Sequence, residues 1–305
     1  MAERISRRIA ARLVDTVVAL CVAVLLAVLL AVPLTGLTTG ATSRSEGASG
    51  LTGAGTARSV SLQGGPIAVV ATSQSGNWSG YDQGFLSTGK LFSQVAGEWR
   101  VPVATQAVAG QAEASATWVG VGGGCLDTSC TLSDPTTLIQ AGTAQDVNAA
   151  GTASYYAWFE TLPEPQARVT AFSVNPGDLV SVNIVESLPA VWDVFVWDHT
   201  TGAKATIPLL YPADMLTAEW IEESPLLISP TGQSGESPLP NLGTVGFTWA
   251  GANDQPAGLQ ADQSIYLING AGRVVAYPSA PSGGAAFNVC VDPHGFAASP
   301  KCPAP

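Results

Sequence analysis

Charge is what this sequence has least of. Of 305 residues only 11% are charged, less than half the roughly 25% usual for soluble proteins. Basic groups are scarcest: 12 Lys+Arg stand against 23 Asp+Glu, a formal net charge of -11. That deficit excludes nucleic-acid binding through a basic patch, because there is no cationic surplus to displace counterions from phosphate. Histidine is nearly absent, with His199 and His294 alone, and so is methionine, with two. Uninterrupted helix-forming stretches are also wanting, since 33 Gly and 21 Pro punctuate the chain. Disorder is excluded by the other side of the composition: 46% hydrophobic residues are ample for a core.

The one long apolar run, Val17–Val32, follows Arg4, Arg7, Arg8 and Arg12 and stops at Pro33. Sixteen residues at about 1.5 Å each span about 24 Å, short of the ~30 Å hydrocarbon core. Residues 1–41 therefore read as a secretory signal cleaved near Ala41. The alternative is an uncleaved anchor, lengthened through Leu34 and Leu37, that holds the protein by 17–32 on the outer face of a membrane. Either reading exports the remainder. Without that segment 8 basic residues face 21 acidic ones. Four cysteines remain: Cys125, Cys130, Cys290 and Cys302. An even number in an oxidising compartment points to two disulfides, with the sequence-local pairs Cys125–Cys130 and Cys290–Cys302 favoured among three connectivities. Neither histidine is spaced for a zinc site and there is no CxxC, so no metal and no cofactor are expected.

Residues 42–65, rich in Gly, Ser, Thr and Ala, read as a flexible linker or short pro-segment. From Pro66 to the end short β-type runs recur between Gly, Pro, Asn and Asp. Examples are 114–122, 154–161, 168–174, 179–186, 190–198, 217–223, 244–250, 265–268 and 274–277. In Ala190–Asp198 the alternation puts Trp192, Val194 and Val196 on one face and Val191, Asp193, Phe195 and Trp197 on the other. Turns are expected at Asn175–Asp178 and Thr200–Gly202. The expectation is one all-β domain, a sandwich or barrel, over 66–305.

The chemistry is narrowed by elimination. A Ser-His-Asp triad would need His199 or His294, both placed in turn-like contexts, and no GxSxG occurs. Carboxylates remain, and their ordinary pKa near 4 suits a base working in acid. Asp127-Thr128-Ser129 approaches the aspartic-peptidase triplet, but Ser replaces Gly and there is no second copy, so it reads as a turn. In Thr217–Glu223, period 2 puts Glu219, Ile221 and Glu223 on one face and Trp220 and Glu222 on the other. By physics alone that could equally be an acidic edge strand.

Seven segments in order resemble the eqolisins, a family of secreted glutamic endopeptidases. They are Asn77–Gly80, Trp99–Pro102, Thr117–Val121, Leu138–Gly142, Tyr156–Glu160, Pro176–Asp178 and Ala218–Glu223. The resemblance implies an antiparallel β-sandwich of two large curved sheets, lectin-like in architecture, and hydrolysis of peptide bonds in acid. It puts the catalytic pair on Gln140 and Glu223, the latter five positions after Ala218; the adjacent Glu222 would point to the opposite face. Trp118, Asn77 and Trp78 would line the substrate cleft. Glu160 and Glu219 would stand near enough to raise the pKa of Glu223 by like-charge repulsion. Two departures from the family pattern are Gly122 and Tyr156, where an Asp is usual. The expected partners are protein or peptide substrates, and the protein is expected to be a monomer. Rival readings are a carbohydrate-binding lectin-like sandwich and a glycosidase using Glu219 and Glu223. The glycosidase would need carboxyls about 5–10 Å apart, closer than the ~13 Å of that strand spacing.

Overall fold

A computed structural model describes residues 61–228, 234–297 and 301–305. The expected export segment and residues 42–60 of the expected linker lie outside them. Two large sheets make up the fold, as all-β expectation required. In the first, the order is Ala167–Arg168, Ala153–Thr161, Ile139–Val147, Glu113–Val121, Thr217–Glu223, Trp78–Gly84 and Ser264–Ile268, all antiparallel. In the second, Lys204–Leu210, Val191–Asp198, Leu179–Leu188, Gln94–Arg100, Gly243–Ala252, Phe287–Val291 and Val274–Pro278 follow in turn. Ser264–Ile268 pairs in both sheets and joins them at one side.

Between the sheets lies the main core. Tyr81, Val119, Val121, Ile139, Ala141 and Trp220 of the first sheet meet Val95, Trp99, Val182, Trp192, Val194 and Phe247 of the second. Phe287 adds an aromatic pair with Phe247, ring centroids 4.6 Å apart and stacked. The second sheet faces solvent on its far side: Val191–Asp198 buries Trp192, Val194 and Val196 and exposes Phe195 and Trp197, as its alternation predicted.

The first sheet behaves differently. Trp78–Gly84, Glu113–Val121 and Thr217–Glu223 are buried along their whole length, so both faces are covered. Its far face carries a second apolar cluster containing Trp78, Trp118, Trp158, Leu138, Ile221 and Ile265. Part of the cover is a loop closed by the Cys125–Cys130 disulfide; the second disulfide, Cys290–Cys302, ties the last described residues to the second sheet. Another part is a three-stranded sheet, Ser61–Gln63 with Leu226–Ile228 and Ser234–Glu236. Ser61–Gln63 lies within the stretch that reads as linker by composition.

One expected strand is much shorter than its sequence suggested. Of 168–174 only Arg168 is in a strand, as the end of Ala167–Arg168. Val169 and Val174 are buried and Phe172 packs against the core, so the apolar residues there anchor a connection. The turn at Asn175–Asp178 is present, with the Asp178 N–H donating to the Asn175 carbonyl at 3.2 Å. At the other expected turn the Gly202 N–H donates to the Asp198 carbonyl, closing the hairpin into Lys204–Leu210.

Candidate active site

Strand register decides which acids meet. On the far face of the first sheet, Glu219 stands opposite Gly120, Gly120 opposite Gln140, and Gln140 opposite Glu160. Two residues along, Ile221, Trp118, Gly142 and Trp158 form the next row. Glu223 begins the row after that, paired with Ala116 on one side and Trp78 on the other. Gln140, Glu160, Trp118, Trp78, Glu219 and Glu223 therefore share one face, because side chains alternate along each strand. Glu222 points the other way, into the inter-sheet interior, where the Thr117 hydroxyl donates to its Oε2 at 2.6 Å.

Specific contacts link the members. The Trp118 indole N–H donates to Glu223 Oε2 at 2.8 Å, and its ring meets Trp78 edge-on with centroids 5.0 Å apart. The Gln140 amide Nε2 donates to Glu160 Oε2 at 2.7 Å, while Gln140 Oε1 is buried without a protein partner. Gln140, Trp118 and Glu219 are fully buried and Glu160 and Glu223 are 1% exposed. Burial penalises the charged form, and no cation is among the causes acting on these acids. Glu223 is pushed well above the ordinary carboxylate range, chiefly by desolvation and then by the neighbouring charge of Glu160. Glu160 itself is raised to about 8 by burial, against the lowering effect of the Gln140 hydrogen bond.

Glu219 belongs to a different group. Its carboxyl is raised by burial and by Asp82, which stands opposite it on the neighbouring strand and is itself pushed up to about 7. Asp82 Oδ2 accepts the Cys125 N–H, so this acid pair supports the disulfide loop. Of the neighbouring acids, Glu160 and then Glu236 push Glu223 up. Asn77 does not open onto free cleft either. Its Nδ2 donates to the Pro66 carbonyl at 3.1 Å and its Oδ1 accepts from Ala68 N–H at 2.9 Å, gripping the chain's own segment.

The side chains set aside by sequence lie elsewhere. Asp127 Oδ1 accepts the Ser129 N–H at 2.9 Å, a local turn. His199 sits on the outer side of the second sheet, with Nε2 at 2.8 Å from Ser181 Oγ. Of the two departures, Gly122 has a backbone reason. Its φ is +91° and an added Cβ would run into the Thr137 carbonyl, so an Asp does not fit there. Tyr156 packs in the second apolar cluster with the Arg168 guanidinium 3.6 Å over its ring. Among the described residues no group of three or more His, Cys, Asp or Glu is placed to hold a metal ion.

Composition alone gave no sign of two features. Glu236, raised to about 7 by burial, borders a cavity of about 700 Å³ that opens where the Glu223 strand ends at Ser224 and is lined also by Glu113, Ser237 and Leu239. The second is the backbone of Gly64 and Gly65, which donates N–H groups to Glu160 and Glu223.

With this geometry in hand, the model of the Peptidase A4 family matches residues 76–288. The chain belongs to that family, the eqolisins. Solved structures agree in fold. Scytalido-glutamic peptidase with a transition state analog inhibitor is 20% identical, with a TM-score of 0.55 over 71% of this chain and 98% of the other. SCP-B, a member of the eqolisin family in complex with the tripeptide Ala-Ile-His, is 18% identical, with a TM-score of 0.51 over the same shares. A comparison with curated proteins finds no match. Family membership makes the chain a peptidase and stands against the carbohydrate-binding alternative.

Proposed function

We propose that the chain is an exported, acid-acting endopeptidase in which Glu223 is the general base and acid and Gln140 the oxyanion donor. The reading rests on one observation above the others: Gln140 and Glu223 stand on one face of the first sheet with Trp118 between their rows, and each is already held by a second group.

In its ionised form, which burial makes the minor one in acid, Glu223 takes a proton from a water held between it and the Gln140 side chain. The water oxygen adds to the scissile carbonyl carbon. Gln140 has two N–H donors on Nε2; Glu160 engages one, which leaves the other for the developing oxyanion. Losing such a donor costs about 3–4 kcal/mol of barrier in other hydrolases. Protonated Glu223 then gives its proton to the leaving amine. Trp118 holds the Glu223 carboxyl by its indole N–H, and Glu160 fixes the direction of the Gln140 amide; both act as positioning residues. An amide suits this role because it keeps its donor at any acidic pH.

Export follows from the basic, apolar N-terminus, and two disulfides agree with an oxidising compartment. Digestion of a denatured protein at about pH 3–4 tests the reading, with wild type beside Glu223→Gln and Gln140→Ala and with pepstatin and a chelator as controls. Wild type is expected to cleave in the presence of both inhibitors and both variants to fail. Variants that cleave like wild type would refute the assignment.

A further inference from the structure

The outer side of the second sheet, the side away from Gln140 and Glu223, leaves large aromatic side chains uncovered. Trp197 is 47% exposed, Trp249 42% and Phe195 40%. Register sets the two indoles in one cross-strand row: Trp197 stands opposite Ser181, Ser181 opposite Glu98, and Glu98 opposite Trp249. Three strand spacings put them about 14 Å apart. Small residues floor the space between. In the next row Asn183 faces Ala96 and Ala96 faces Gly251. Ala96, Asn183, Gly251 and Trp249 line a cavity of about 360 Å³, at the lower end of the range usual for small-ligand sites. A Cβ at Gly251 would stand 2.9 Å from the Trp249 indole nitrogen, so glycine there lets the ring lie down against the strand. Trp197 is braced as well: its ring centroid lies 4.1 Å from that of His199, whose Nε2 is 2.8 Å from Ser181 Oγ.

Fixed polar groups complete the trough. Gln94 is buried; its Nε2 donates to Asn183 Oδ1 at 2.6 Å and its Oε1 accepts the Asp254 N–H at 2.8 Å. The Asn183 amide is thus held through its oxygen, and its Nδ2 donors remain for a ligand. Glu98 and Asp254 add carboxyls, and no Lys or Arg lines the cavity. We propose that this trough binds a neutral polysaccharide, with one sugar ring on Trp249 and the chain running toward Trp197. The enzyme would thereby be held on a glycan surface with its catalytic face free.

Charge and pairing select that occupant. Two carboxyls without a cation repel an anionic ligand. An extended peptide would need an open strand edge to pair with. Here the strands of Ser181, Glu98 and Trp249 each have a neighbour on both sides. A sugar ring instead offers a C–H face that an indole covers, and hydroxyls that donate to carboxyls and accept from amides. The attachment does not depend on the catalytic pair, which lies on the other sheet. It is therefore distinct from a lectin-like sandwich without catalysis.

The test mixes the full-length chain, in the cold, with insoluble cellulose, chitin or curdlan (a β-1,3-glucan) and with gelatin-coated polystyrene, and measures the protein left in solution. Wild type is expected to be depleted by at least one of the three glycans, and the one that depletes it names the sugar. Trp249→Ala should weaken that binding about tenfold or more. Ala96→Leu, which fills the floor and removes no ring, should weaken it as much. Both variants should match wild type in circular dichroism and in digestion of denatured albumin, since neither residue touches the catalytic face. Depletion by none of the three glycans, or binding that either folded variant retains in full, would overturn the proposal. Capture on gelatin that Ala96→Leu abolishes would give the trough to peptide and overturn it as well.

Discussion

At the scale of single residues, two neighbouring glutamates have opposite surroundings. Glu223 is tied to the Trp118 indole on the cleft face, whereas Glu222 accepts from Thr117 in the inter-sheet interior, where burial pushes it up to about 8. The Trp118 hydrogen bond favours the charged form of Glu223 and so opposes the upward push of burial and Glu160. Trp118→Phe removes that donor and keeps most of the ring. The acid limb of the pH–rate profile is expected to move to higher pH, because Glu223 then holds its proton more tightly; an unmoved limb would mean the indole only packs. Thr117→Val would take one hydroxyl donor from the buried Glu222, and a urea titration is expected to show a loss of about 1–3 kcal/mol of stability.

Strands explain what the sequence could and could not reveal. Val191–Asp198 was legible because one face is wet and its residues alternate. Ile139–Val147, which carries Gln140, has no strand pattern in its sequence: both its faces are covered, so its small and polar residues show no alternation. Gln140 is marked by the resemblance of Leu138–Gly142 to a family segment and not by periodicity. The face assignment in Thr217–Glu223 followed from period 2 alone, and register supplied the partners. The 61–65 segment was illegible because its glycines resemble linker in composition; their meaning lies in contacts with acids 96 and 158 residues away. At this scale the loop carrying Cys125–Cys130 rests on Asp82 and Glu219, a pair of facing carboxyls. Asp82→Asn keeps the shape and removes one acid. It is expected to soften the loss of stability as pH rises, measured by urea unfolding at about pH 4 and pH 7.

Across the whole molecule, burying acids without cations gives the fold a pH dependence of definite sign. Asp82 is raised to about 7 and Glu160 and Glu222 to about 8, while unfolded carboxyls titrate near 4. Between those limits the native state binds more protons than the unfolded one, so the stability falls as pH rises. It is greatest below the ordinary carboxylate range and is progressively lost up to about pH 8. The midpoint of urea unfolding should drop steadily from acid to neutral pH; a midpoint that rises over that range would contradict the burial of neutral acids. The low charge content of the sequence belongs to the same design, since few ion pairs among the described residues are present to be lost in acid.

The central claim is that Glu223, and not the acid beside it, carries out the reaction. Glu222→Gln and Glu223→Gln, compared on a denatured protein at about pH 3–4 with folding checked by circular dichroism, test it most directly. The account predicts that Glu222→Gln digests within about threefold of wild type and that Glu223→Gln loses about a hundredfold or more, the usual contribution of a positioned acid–base group. A folded Glu223→Gln that digests like wild type, with Glu222→Gln inactive, would contradict it.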